Sequence, residues 1–77
     1  MTIYELIEQE RARQVLLWGV QEHLPGTWML ILVEEVGEAA KAFLEGDPKQ
    51  GCTELIQCMA VIMTWLEFVL RNTPGIL

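Results

Sequence analysis

Residues 55 to 70 read LIQCMAVIMTWLEFVL, and wound as a helix of about 3.6 residues per turn they present apolar side chains nearly all the way round. Such a helix must be covered on both sides. A chain of 77 residues cannot do this alone, because a domain of that size buries only about 60% of the surface its unfolded chain exposes. The run is also shorter than the roughly 18 residues a membrane span requires, and Gln57 and Glu67 interrupt it. It therefore reads as a buried interface helix, with no membrane involved. Since 52% of all residues are apolar, self-association as a homodimer or tetramer, with subunits sharing one core, is the expected remedy.

The punctuation around this run predicts an all-α chain of three main helices in a single domain, 1–77. Thr2 and Glu5 have the spacing of a capping box, so a first helix starts near Ile3. Its stripe of Ile3, Leu6, Ile7, Val15 and Leu16 is interrupted by EQERARQ, which offers only Ala12, and the helix fades near Trp18 and Gly19. GVQEHLPGT then reads as a loop ending when Gly26 or Thr27 caps a second helix, from about Trp28 to Glu45. Gly46 suits a left-handed cap, Asp47 the next N-cap and Pro48 the first turn of a third helix, which runs from about Lys49 to Arg71 and stops at NTPG. The short EGDP connection makes helices two and three antiparallel neighbours. A helical hairpin of this kind is expected to complete a four-helix-bundle-like core with a partner subunit.

Charge narrows the function. Eleven acidic residues stand against five basic ones, for a formal net charge of −6, so no positive footprint exists for a nucleic-acid polymer. A phosphorylated small molecule would have to arrive with a divalent cation to overcome the repulsion. The N-terminal MTIYELIEQERARQ is charged throughout and lacks the apolar core of a secretory signal, which points to the cytoplasm. Cys52 and Cys58 stand about 240° apart on a helix and so do not bridge, reading as reduced core thiols.

The segment LVEEVGEAAKAFLEG, residues 32 to 46, places Glu34, Glu35 and Glu38 among apolar neighbours. At about 100° per residue, Glu34 and Glu38 lie about 40° apart and Glu35 and Glu38 about 60° apart, so all three converge on one region. Like charges at these spacings destabilise a helix, and something positive is expected opposite them. The third helix contributes Glu54, with Gln57 three residues on. Around the Asp47 turn the two pairs stand at similar heights and can face each other. Hard oxygen ligands in such a cage suit Mg²⁺ or Mn²⁺, whereas a single histidine and no suitable cysteine pattern argue against zinc. The alternative is an ordinary solvated face of glutamates.

In this order, EEVGEAAKAFLEGD followed by ELIQCMAVIMTWLE resembles the MazG-like branch of the all-α nucleoside triphosphate pyrophosphohydrolases, whose hallmark is ExxE, a turn, then ExxD. Glu35-Val-Gly-Glu38 matches the first half and Glu54-Leu-Ile-Gln57 the second except at its last position. The lead-in ERARQVLLWGVQEHLPGTW is also similar, so the resemblance spans residues from about 10 to 70. It implies Mg²⁺-dependent hydrolysis of a nucleoside or deoxynucleoside triphosphate to monophosphate and pyrophosphate, in a house-cleaning role. It further implies Glu35, Glu38 and Glu54 as metal ligands and Glu34 as a further ligand or the base that orients water. Gln57, standing where the family has Asp, supplies an amide oxygen and one negative charge fewer. A catalytically impaired nucleotide- and metal-binding helical oligomer is the alternative this leaves open.

Three more residues are candidates for substrate contact. Trp18 offers a face for a base and His23 an imidazole for base or phosphate; the simpler roles are a core anchor and a surface residue. Lys41, one turn beyond Glu38, reaches a phosphate or pairs with Glu38 or Glu45. Arg11 and Arg13 read as solvated. Gly37 weakens its helix by about 1 kcal/mol relative to Ala, which close approach of another helix or of substrate would explain. Met59, Met63, Trp65 and Phe68 read as core or subunit interface.

Overall fold

The computed structural model describes residues 1–77 as three helices with no strand: α1 (Ile3–Trp18), α2 (Pro25–Leu44) and α3 (Pro48–Asn72). The capping box forms as the spacing predicts. The Thr2 hydroxyl accepts from the Glu5 amide and the Glu5 carboxylate accepts from the Thr2 amide, each at 3.1 Å. Helix α1 closes at Gly19, whose φ of 71° lies in the left-handed region that favours glycine. Helix α2 begins earlier than expected, at Pro25 behind Leu24, with no side-chain cap from Gly26 or Thr27. Proline at the first helical position has no amide of its own to leave unpaired, and its fixed φ is already helical.

The turn between α2 and α3 is closed on both sides. Gly46 adopts φ 78°, its amide donates to the Phe43 carbonyl at 3.2 Å, and the Asp47 amide donates to the Ala42 carbonyl at 2.9 Å, the paired bonds of a Schellman cap. The Asp47 carboxylate then accepts from the Gln50 amide at 3.0 Å and starts α3.

Helix α3 is central, packed by α2 along one side and by α1 on another, while α1 and α2 make no close approach to each other. The α3 seam is Gly51, Glu54, Cys58, Val61, Trp65 and Phe68, a strict alternation of three- and four-residue steps that keeps one face toward a neighbouring helix. Trp28, Leu32, Glu35, Ala39 and Ala42 form the corresponding seam of α2. Trp28 is the anchor of the core, 1% exposed, stacked on Trp65 at 6.2 Å and tilted against Phe68 at 5.9 Å. At the turn end, a Cβ on Gly51 would fall 2.6 Å from the Phe43 ring. The glycine that permits close helix approach is therefore Gly51. Gly37, expected to mark such an approach, has open space where its Cβ would be.

Two further expectations are corrected. On α1 the buried residues are Ile7 and Gln14, while Ile3, Val15 and Leu16 are exposed. The inner face runs through the polar middle of the helix, because Arg11 is not solvated: its guanidinium reaches across to Glu67 on α3 and back to Glu8. Of the two cysteines, Cys58 is buried and Cys52 is exposed.

The outer faces of α2 and α3 stay apolar and uncovered. Met29, Val33, Val36 and Phe43 on α2, and Leu55, Met59, Ile62 and Leu66 on α3, are all exposed. The radius of gyration, 13.4 Å, exceeds the roughly 11.5 Å of a compact domain of this length. Although the apolar run alone falls short of a span, the whole of α3, at 25 residues, is long and apolar enough to cross a bilayer by length and composition.

Candidate metal and nucleotide site

Glu35 and Glu54 occupy seam positions, where packing helices ordinarily place apolar side chains, and this is what turns them toward each other. Glu38, three residues beyond Glu35, joins from the next turn of α2. One carboxylate oxygen from each of Glu35, Glu38 and Glu54 lies within 4.8 Å of the others. Glu54 is 8% exposed, and no lysine or arginine pairs with any of the three. Amides meet them instead. Gln50 Nε2 donates to Glu54 Oε1 at 2.9 Å. The Gln57 amide lies 2.8 Å from Glu54 Oε2 and 3.0 Å from Glu35 Oε2; carboxylates accept, so the atom facing them is the nitrogen.

The electrostatics follow from this crowding. Burial, and then the charges of Glu38 and Glu54, push the Glu35 carboxyl up to about 7. Glu38 is also raised, first by a hydrogen bond shared with Glu54 and then by its charge, while Lys41 acts in the opposite sense. Below Glu35, burial raises the Cys58 thiol and the charges of Glu35 and Glu54 raise it further, which keeps it protonated and unreactive.

A cleft of about 540 Å³ opens beside the carboxylates between α1 and α2, with Val61 of α3 on its floor. Glu34 and Glu35 form one wall; Trp18, Gln14 and His23 stand across from them. The geometry thus brings four expected site residues, Trp18, His23, Glu34 and Glu35, into one cavity. Trp18 is 56% exposed, an aromatic face at the rim and not a core anchor. His23 lies edge-on to Trp28 at 4.8 Å, held against the core from the loop. Lys41 is elsewhere: with Glu38, Glu54 and Gln50 it lines a separate groove of about 320 Å³ on the turn side of the carboxylates.

Two contributors escape a reading of charge pairs alone. Gln14, buried and bonded through Nε2 to Glu10 at 2.9 Å, sits seven residues from Ile7, a spacing that puts both on one helical face. Gln50 stands four residues before Glu54, within reach on the same face. The three carboxylates are a chemically suitable set for Mg²⁺ or Mn²⁺, offering hard oxygens from two helices and leaving positions for water and phosphate oxygens.

Comparison with protein-family models, with curated proteins and with solved structures finds no match to this chain.

Proposed function

We propose that the chain is a Mg²⁺-dependent nucleoside triphosphate pyrophosphohydrolase, acting on an NTP or dNTP and working as a helical homodimer or tetramer. The observation that carries the reading is the convergence of Glu35, Glu38 and Glu54 from two helices, beside a cleft lined by Trp18 and His23. Glu35, Glu38 and Glu54 would hold the cation, with Gln57 able to join through its oxygen. Bound there, the metal would neutralise the phosphates, stabilise charge on the transferring phosphoryl group and lower the pKa of water. Glu34, on the cleft wall, would orient an attacking water. Trp18 at the rim offers a stacking face for the base, and the His23 imidazole a hydrogen bond to base or phosphate. Lys41 faces the opposite groove, within which a leaving pyrophosphate would find a cation. The uncovered faces of α2 and α3 supply the contact by which a second copy would complete a four-helix bundle.

A second reading is favoured by one feature, the uncharged Gln57 amide beside Glu54 and Glu35 where the ExxD pattern has an aspartate: a helical oligomer that binds nucleotide and metal without turnover. Release of pyrophosphate and monophosphate from a panel of ribo- and deoxynucleoside triphosphates, with Mg²⁺, Mn²⁺ or chelator, separates the two. Metal-dependent release of both products is expected, and Glu38→Ala should abolish it while leaving the far-ultraviolet circular dichroism unchanged. Mg²⁺-dependent nucleotide binding by calorimetry without product would establish the second reading.

A further inference from the structure

Glu54 is a buried carboxylate without a cationic partner, an arrangement that ordinarily costs several kcal/mol unless hydrogen bonds replace the lost water. Here both of its oxygens are met by uncharged donors from its own helix. Gln50, four residues earlier, takes Oε1 at 2.9 Å; Gln57, three residues later, takes Oε2 at 2.8 Å. Gln57 does more than this, since the same amide nitrogen lies 3.0 Å from Glu35 Oε2 on the neighbouring helix. It bridges the two acidic seam residues. An amide suits this place because its nitrogen carries two donors, one for each carboxylate, and its oxygen can replace the nitrogen by a half-turn of the terminal torsion, with almost no change of shape. Aspartate would bring neither donor and would add a charge to a group that already repels itself.

We propose that Gln57 is a positioning residue, an internal stand-in for a cation: in the cation-free chain its nitrogen ties Glu35 of α2 to Glu54 of α3, and the amide turns its oxygen inward when a divalent cation is bound. The second half rests on the metal-dependent reading above; the first does not. The link lets α2 and α3 keep their acidic seam closed without metal, so the wild-type fold does not depend on cation supply. Removing the donors makes it dependent.

The test is thermal melting at pH 8 of wild type, Gln57→Leu and Gln57→Asp, each in chelator and in millimolar Mg²⁺. In chelator both variants are expected to melt several degrees below wild type, Gln57→Asp the lowest, and in Mg²⁺ Gln57→Asp should regain most of its loss while Gln57→Leu does not. Variants that melt with wild type in chelator would overturn the link. A Gln57→Asp variant that melts early but ignores Mg²⁺ would uphold the link and overturn both the turning amide and the metal reading. Should either variant fail to fold, the side-chain amide resonances of ¹⁵N-labelled wild type decide the matter. The Gln57 pair is expected to exchange slowly with solvent in chelator and to move on adding Mg²⁺. Exchange as fast as that of the exposed Gln9 would refute the proposal.

Discussion

Glu35 is the residue whose protonation the site controls most strongly. Its carboxyl is raised from 4.5 to about 7 by burial and by its acidic neighbours, so the folded chain holds a proton that the unfolded chain releases. The associated stability is complete below about pH 4.5 and is lost as pH rises to about 7. In chelator, the melting temperature of wild type is therefore expected to fall across that window relative to Glu35→Gln. The variant should keep a smaller slope from Glu38, which is raised too. Saturating Mg²⁺ should flatten the wild-type curve; equal slopes for both proteins in chelator would show that Glu35 titrates normally. At this scale the sequence was legible where spacing speaks. Glu35, Glu38 and Glu54 meet because steps of three on α2 and a short turn to α3 leave them few other places. Gln57 was legible as a neighbour but not as a donor, since the end of an amide that faces inward is decided by partners across two helices. Arg11 was misread because its partner, Glu67, lies 56 residues away.

The elements obey their local signals closely. Thr2 with Glu5 opens α1 and Asp47 with Pro48 opens α3, each within a residue of expectation, because caps are local chemistry. The start of α2 lies ahead of the expected Trp28 because Pro25, preset at a helical φ, opens a helix that no polar side chain marks. Between α2 and α3 the tightest point is Gly51 against the Phe43 ring. Gly51→Ala should therefore lower the melting temperature by displacing that ring, despite the roughly 1 kcal/mol by which Ala outperforms Gly in a helix. In a Phe43→Ala background the same change should raise it. Melting of the four proteins as a double-mutant cycle checks this, and additive effects would place the contact elsewhere. Gly37 has open space where its Cβ would be, so no other helix of this chain accounts for that glycine.

In the whole molecule, the long apolar run forms a helix packed by two others of its own chain, and how that cover is apportioned is not legible in the run itself. Helix α2 takes the Trp65–Phe68 face, α1 takes part of another, and the stripe through Leu55, Met59, Ile62 and Leu66 stays bare. A charge in the middle of that stripe, Ile62→Glu, should leave the isolated fold intact, since the side chain is already exposed, and reduce the protein to monomers in sedimentation velocity. Wild type should sediment as a dimer or tetramer and melt at a temperature that rises with concentration. A wild type that sediments as a monomer would remove the shared bundle from the proposed function. The attachment of α1 has a separate consequence. This helix rests on α3 alone and connects to α2 through residues 19 to 24, with Gly19 at the joint. One side of the cleft, bearing Trp18, is thus carried by a helix packed on α3 alone, while the side bearing the carboxylates belongs to the α2–α3 hairpin. If the proposed function holds, tolerance for the bulk of a guest and the chemistry done to it would fall to different parts of the chain, and either could drift through mutation without disturbing the other.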